Sequence, residues 1–370
     1  MRKVCLLVLA LLLVAGFIIA QSTQAQFEAK GAEKLKGKTI TVGLYCHTNM
    51  PPWKILQNAA IMRAKELSEK YGFKLVLDIQ APPTHVDIIR QSNIIDDFIA
   101  KKVDMIVAIP VTTGSYDNLI KKISKAGIPM GLFITSQDPP VGFEDTVKWW
   151  LYNDDEVGGK MVGDFMAEIL PNPAKICIMR GVYECLWDQG RFAGITAGIR
   201  KYSHIETLDV QTGDWDRDKG MKRAEEWIAR YGDQLDGILC LNDEMAWGAY
   251  GAAKAAGLPK MTFSGWDGAV DFTRAVAEGV FPVSCDMHWM GYGIQLVDLM
   301  FETLKGNKVV PKRNLLRLTL IDKKFASELL TEVAETEAGK KPATWESFKL
   351  FNYRKKYGTD FNLGVEYRVK

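Results

Sequence analysis

Asp236-Gly237-Ile238-Leu239-Cys240-Leu241 runs into Asn242-Asp243-Glu244, and Met261-Thr262-Phe263-Ser264-Gly265 runs into Trp266-Asp267-Gly268. Each is a short apolar run that stops abruptly at polar groups. Between them Met245 to Ala256 is built largely of small residues and reads as a helix. Strand, helix and strand at this spacing make the βαβ unit of a parallel sheet. Both strands put an Asn/Asp or Trp/Asp pair just past their carboxyl ends. In open α/β sheets that edge is where ligands bind. An amide, carboxylates and an indole face gathered there suit a polyol better than bond-breaking chemistry.

The same design occurs earlier in the chain. Val103-Asp104-Met105-Ile106-Val107-Ala108-Ile109 matches the run from Leu235 to Leu241, and each leads through a polar loop into a helix. Those helices end in Lys125-Ala126-Gly127-Ile128-Pro129 and Ala255-Ala256-Gly257-Leu258-Pro259. Glycine permits the left-handed turn that ends a helix, and proline cannot continue one. Thr39 to Leu44 and Ala174 to Met179 pair at a similar offset. Two lobes of one βαβ design follow. Strands are expected near 39–45, 73–79, 104–109, 129–133 and 147–152, then near 174–179, 205–210, 236–241, 261–265 and 281–285. Helices are expected near 53–71, 87–101 and 115–126, and near 156–169, 188–202, 217–231, 245–256 and 268–278. A further helix over 289–305 and a strand near 315–321 return toward the first lobe or the hinge. The fold class is therefore α/β: two doubly wound, parallel-sheet, Rossmann-like lobes joined by a multi-strand hinge. The first lobe is assigned 38–152 plus about 287–310, the second 153–286 plus about 311–325. Chain crossings are placed near Tyr152-Asn153, at Asp286-Met287 and around 308–320, and closure of the cleft is a hinge motion.

The first 25 residues carry Arg2 and Lys3, an apolar run from Val4 to Ala20, and Thr23-Gln24-Ala25 as a cleavage site. This reads as a secretory signal, with an uncleaved anchor as the alternative. Removing 25 of the 370 residues leaves 345, more than one core comfortably holds. Without Arg2 and Lys3 the 47 basic residues fall to 45, equal to the acidic count. No basic stripe points to nucleic acid. Five cysteines remain, Cys46, Cys177, Cys185, Cys240 and Cys285, with no Cys-x-x-Cys spacing, and His47, His85, His204 and His288 are scattered. No metal site, catalytic thiol or cofactor is expected. Cys46, His47, Asp286 and His288 resemble pieces of a catalytic set, yet nothing in their spacing enforces a nucleophile–base contact. Gly158-Gly159 opens a helix without the dinucleotide fingerprint.

Asn242-Asp243-Glu244-Met245-Ala246, Gly265-Trp266-Asp267-Gly268 and Asp154-Asp155-Glu156-Val157-Gly158-Gly159-Lys160, in that spacing, resemble periplasmic sugar-binding proteins of the ribose/galactose type, which have the type I periplasmic-binding-protein architecture. That group includes a quorum-signal receptor for a furanosyl borate. The resemblance spans roughly 38–322. It implies that Asn242 contacts ring hydroxyls, Trp266 stacks on the ring, Asp267 accepts hydroxyl hydrogens and Arg191 donates from the second lobe. Trp53 fits one of two aromatics in the first loop, the other being replaced by Pro52. Further departures are Ile134-Thr135 in place of an Asp-Arg pair, Met287 in place of Gln, and Cys46 in place of Ser.

The candidate ligand-binding residues are thus Asn242, Trp266, Asp267, Arg191, Trp53, Cys46, Thr135, Trp187, Asn153, Asp286 and Met287. Three of these have a competing structural role. Trp266 can be a core tryptophan, and Asp267 can cap the helix over 268–278. Either Asn242 or Asp243 caps the helix near 245, and Asn242 is expected in the cleft. Trp149 and Trp150 are consecutive on a strand, so at most one lines the cleft. The 338–370 tail, with 8 basic and 3 acidic residues and seven aromatics, is either a strap over one lobe or a docking surface. The expected function is capture of a small carbohydrate or polyol, without catalysis, by an exported monomer that delivers it to an ABC importer. The alternative is a sensor subunit presenting a sugar-like signal to a membrane histidine kinase or chemoreceptor.

Overall fold

Residues 29–83, 87–110, 112–135, 137–309, 312–316 and 318–337 are described by the computed structural model. The signal segment, His85 and the 338–370 tail lie outside the described residues.

The apolar runs form strands β1 (Thr39–Tyr45), β2 (Lys74–Gln80), β3 (Met105–Ala108), β4 (Met130–Phe133) and β5 (Val147–Tyr152). Helices α1 (Pro51–Tyr71), α2 (Ile88–Ala100) and α3 (Thr113–Lys125) connect the first four. The second half has β6 (Ala174–Arg180), β7 (Ile205–Thr212), β8 (Gly237–Cys240), β9 (Thr262–Ser264) and β10 (Ser284–Asp286). Its helices are α4 (Asp155–Ile169), α5 (Leu186–Ile199), α6 (Arg217–Tyr231), α7 (Asp243–Ala255) and α8 (Val270–Glu278). Helix α9 (Trp289–Leu304), strands β11 (Arg313–Leu315) and β12 (Thr319–Ile321) and helix α10 (Lys323–Glu337) follow.

The first sheet has the order β11-β5-β4-β3-β1-β2, with every pairing parallel. The second runs β7-β6-β8-β9, also parallel. Parallel bridges Ser264↔Val283 and Asp267↔Asp286 extend it to β10, on which β12 lies antiparallel. Both lobes thus wind in the same order, as the internal repeat requires. Their strands read as continuous apolar runs because helices cover both faces: β3, β4 and β8 are buried throughout.

The tail of the domain differs from the sequence reading. The single strand expected near 315–321 is two three-residue strands. β11 pairs with β5 in the first sheet, so 313–315 lie there and not with the second lobe; only β12 joins the second. The chain therefore crosses between lobes after β5, after β10 and between β11 and β12. Helix α9 returns to the first lobe, where a Cβ on Gly293 would lie 2.2 Å from the Leu56 carbonyl of α1.

Candidate functional site

A cavity of about 470 Å³, counting solvent at its mouth, lies between the carboxyl ends of the two sheets. From the first lobe, His47, Met50, Pro52 and Trp53 come from the loop after β1 and the start of α1, Ile134 follows β4, and Trp289 opens α9. Opposite them, α5 supplies Trp187 and Arg191, and the loop after β7 supplies Trp215. Asn242 and Glu244 stand at the start of α7, Asp267 follows β9, and Met287 sits at the second crossing. Most lie in the loops or helix starts that follow strand ends, where the sheets leave a crevice, and Arg191 reaches in from within α5.

The polar centre is Arg191. Its Nη1 donates to the Leu241 carbonyl at 2.8 Å and lies 3.6 Å from Asp267 Oδ1, while Nε meets Asp155 Oδ1 at 3.2 Å. Its guanidinium sits between two indoles, 4.6 Å from the Trp266 ring centre and 5.3 Å from that of Trp215. Stacking of this kind suits a planar, weakly hydrated cation and fixes its direction. Burial pushes the Asp267 carboxyl up to about 7, opposed by Arg191 and reinforced by Glu244 and Asp155. Burial likewise pushes Asp155 up to about 6 against the attraction of Arg191. Asp243 is raised well above the usual carboxylate range by burial and by Asp267. Its oxygens accept from Ala269 N and the Ser284 hydroxyl, so it braces the floor behind the cavity.

Aromatic rings surround this centre. His47 lies 5.9 Å from Trp53 and meets Trp187 edge-on at 5.2 Å, and Trp53 lies 5.0 Å from Trp289. Trp289 Nε1 donates to the Asp267 carbonyl at 3.0 Å, linking α9 to the second lobe. Tryptophan faces give a sugar's C–H groups broad apolar contact, and a few polar groups fix its orientation.

Backbone strain concentrates here. The non-glycine residues with positive φ among the described residues are Lys102, Ile134, Asp214, Trp215, Asp267 and His288. Three of them line the cavity. Such conformations persist where surrounding structure holds them, and they cluster at binding sites.

Residues 52–308 match the periplasmic binding protein domain. The chain belongs to the periplasmic binding protein family. It is 29% identical over 313 residues to the ribose import binding protein of Haemophilus influenzae, covering 84% of this chain and 97% of that one. It is 28% identical over 221 residues to a xylitol-binding protein of Mycolicibacterium smegmatis, covering 60% of this chain and 62% of that one. A solute-binding protein from Actinobacillus succinogenes, solved with D-allose, has the same fold at a TM-score of 0.70 and 20% identity, covering 78% of this chain and all of the other.

Within this periplasmic binding protein, Trp53, Trp187, Arg191, Asn242, Asp267 and Met287 line the cavity. The other five expected residues do not. Trp266 is fully buried beneath Arg191, its ring filling space that Gly158 leaves open, where a Cβ would sit 2.6 Å from the indole. Its ring stacks under the arginine. Cys46 is buried, its thiol pushed up to about 12 by burial. Thr135 Oγ1 accepts from Gln137 N, and Asn153 donates to the Leu316 carbonyl at a crossing. Asp286 binds His288 Nδ1 at 2.6 Å, and His288 Nε2 lies 3.1 Å from the Thr319 hydroxyl. This Asp-His-Thr chain has the composition of a catalytic set, yet it is buried between two crossings and does not line this cavity.

Roles also shift among the lining residues. Asn242 Oδ1 caps α7 through Met245 N and its Nδ2 donates to the Trp215 carbonyl, so it shapes the wall. Asp267 caps nothing: the N-cap of α8 is Ala269. Neither Trp149, in the core, nor Trp150 reaches the cavity. His47, Met50, Trp215, Glu244 and Trp289 line the cavity without having been expected there. The motif Thr212-Gly213-Asp214-Trp215-Asp216 offered a signal for Trp215, since Gly-Asp after a strand marks a turn. Glu244 is held by Arg217 Nε at 2.8 Å.

Proposed function

We propose that this protein is an exported solute-binding protein that captures a small carbohydrate or polyol and delivers it to an ABC importer. The observation that carries the reading is the Arg191–Asp267 pair set among tryptophans in a cavity between two lobes. Arginine donates to hydroxyl oxygens, the carboxylate accepts hydroxyl hydrogens, and the indoles cover the ring. The xylitol- and ribose-binding relatives support the ligand class, and the signal-like first 25 residues support export. No described helix is long and apolar enough to cross a membrane. The five mature cysteines are buried as free thiols, consistent with packing roles.

A thermal-shift screen of the mature protein against sugars and polyols tests this. A ligand that binds only the native state stabilises it by RT ln(1 + [L]/Kd), about 2.7 kcal/mol at a hundredfold excess over Kd. Stabilisation by an amino acid or a metal, with none by any neutral sugar or polyol, would refute the ligand class.

A further inference from the structure

Resting on the carbohydrate reading, we propose that the ligand carries a cationic amine, as amino sugars and amino-cyclitols do, and that Asp267 receives its ammonium. The charges at the cavity resolve into pairs with one left over. Arg191 is matched by Asp155, whose Oδ1 lies 3.2 Å from Nε. Its Nη1 and Nη2 donate to the Leu241 carbonyl and the Met287 sulfur, both at 2.8 Å. Glu244 is matched by Arg217, which holds it through two nitrogens at 2.8 and 3.3 Å. Asp267 is left. It is more than nine-tenths buried, and among the described residues neither carboxylate oxygen accepts a hydrogen bond. Its one cationic neighbour there is Arg191, 3.6 Å away and already matched. The first-lobe wall brings no lysine or arginine, only the His47 imidazole among apolar and indole side chains.

An ionised carboxylate closed off from water needs a counter-charge. Where it has none its proton is held more tightly, and burial, with repulsion from Glu244 and Asp155, raises the Asp267 carboxyl in this way. A hydroxyl brings a hydrogen but no charge. An ammonium brings three N–H donors and the missing positive charge together. The indoles are a second, independent observation. Trp53, Trp187, Trp215 and Trp289 line the cavity. Their π faces are negative and attract a cation held within about 6 Å of the ring centre. A neutral ring uses those faces for C–H contact alone, whereas a cationic one gains from their charge as well.

Titration calorimetry at about pH 7.5, where an unperturbed imidazole is mostly uncharged, tests the proposal on matched pairs. These are D-glucose with D-glucosamine and with 6-amino-6-deoxy-D-glucose, D-galactose with D-galactosamine, and scyllo-inositol with scyllo-inosamine. At least one amine should bind tenfold or more tightly than its hydroxyl parent, equivalent to about 1.4 kcal/mol at 25 °C. Asp267→Asn keeps the shape and removes the charge, so it should weaken the amine more than the parent and bring the preference below threefold. Asp155 does not line the cavity. Asp155→Asn frees Arg191 to match Asp267, so it should lower the preference at least threefold, and it serves if the first variant does not fold. If parents bind as tightly as their amines, the ammonium is wrong while the carbohydrate reading stands. A preference that both variants leave unchanged also overturns it. If neither member of any pair binds, the carbohydrate reading fails and takes this one with it.

Discussion

Asp267 faces two opposed demands. Apo, its buried carboxyl is pushed up to about 7, so the folded state holds a proton that the unfolded chain releases near the ordinary value of 3.8. Between those values the native state binds more protons, and stability falls as pH rises. Asp155, up to about 6, acts in the same direction. The ligand reverses this demand, because hydroxyls donate best to an ionised carboxylate. The ligand-free melting midpoint should therefore rise as pH is lowered from 8 toward 5.5, while sugar affinity weakens over the same range. Asp267→Asn should flatten the affinity profile, leave a shallower stability profile that Asp155 maintains, and, by losing hydrogen bonds to a charge worth about 1.5–3 kcal/mol, weaken binding roughly 10- to 150-fold. Calorimetry across that range is the check, and a wild-type affinity indifferent to pH would sink the assigned role.

Helices α4 and α5 show why residue roles depend on element packing. A Cβ on Gly159 would stand 2.4 Å from the Arg191 carbonyl, and one on Gly194 2.1 Å from that of Glu156. The helices touch backbone to backbone, and this contact brings Asp155 of α4 beside Arg191 of α5. Gly159→Ala should separate them and cost about 1–3 kcal/mol by overpacking. Ligand affinity should fall with the melting midpoint, since Arg191 moves with its helix; lowered stability with intact affinity would detach the pair from the site. Most elements were legible in the sequence because strands covered on both faces read as unbroken apolar runs and Gly-Pro pairs end the helices. Asn242 and Asp267 stood out because they follow strand ends, whereas Arg191, inside a helix, was reached only through the family resemblance. What stayed hidden is tertiary. Trp266 turns from the cleft because Gly158, over a hundred residues earlier, leaves a gap for it. β11 and β12 are too short for a period-2 pattern to reveal their separate sheets.

At the scale of the whole molecule, two hydrogen bonds among the described residues reach from lobe to lobe away from the crossings themselves. Trp289 Nε1 reaches the Asp267 carbonyl close to the hinge, and Thr113 N donates to the Glu184 carbonyl at 3.2 Å, from the start of α3 to the loop after β6. Hinge opening is expected to separate these two groups, so the second bond would favour the closed state and should slow ligand escape. Its donor can be removed cleanly. Thr113 is the first residue of α3, a position that proline favours because its N–H has no partner within the helix. The preceding Thr112 is extended at φ −137° and ψ 163°, as a residue before proline prefers. Thr113→Pro should therefore leave the ligand-free melting midpoint unchanged or slightly raised. It should speed ligand release by roughly 2- to 10-fold, the loss of one hydrogen bond of about 0.5–1.5 kcal/mol. Stopped-flow tryptophan fluorescence, with indoles lining the cavity as reporters, measures that rate. An unchanged rate would mean that closure is held by the ligand and the hinge without this rim contact.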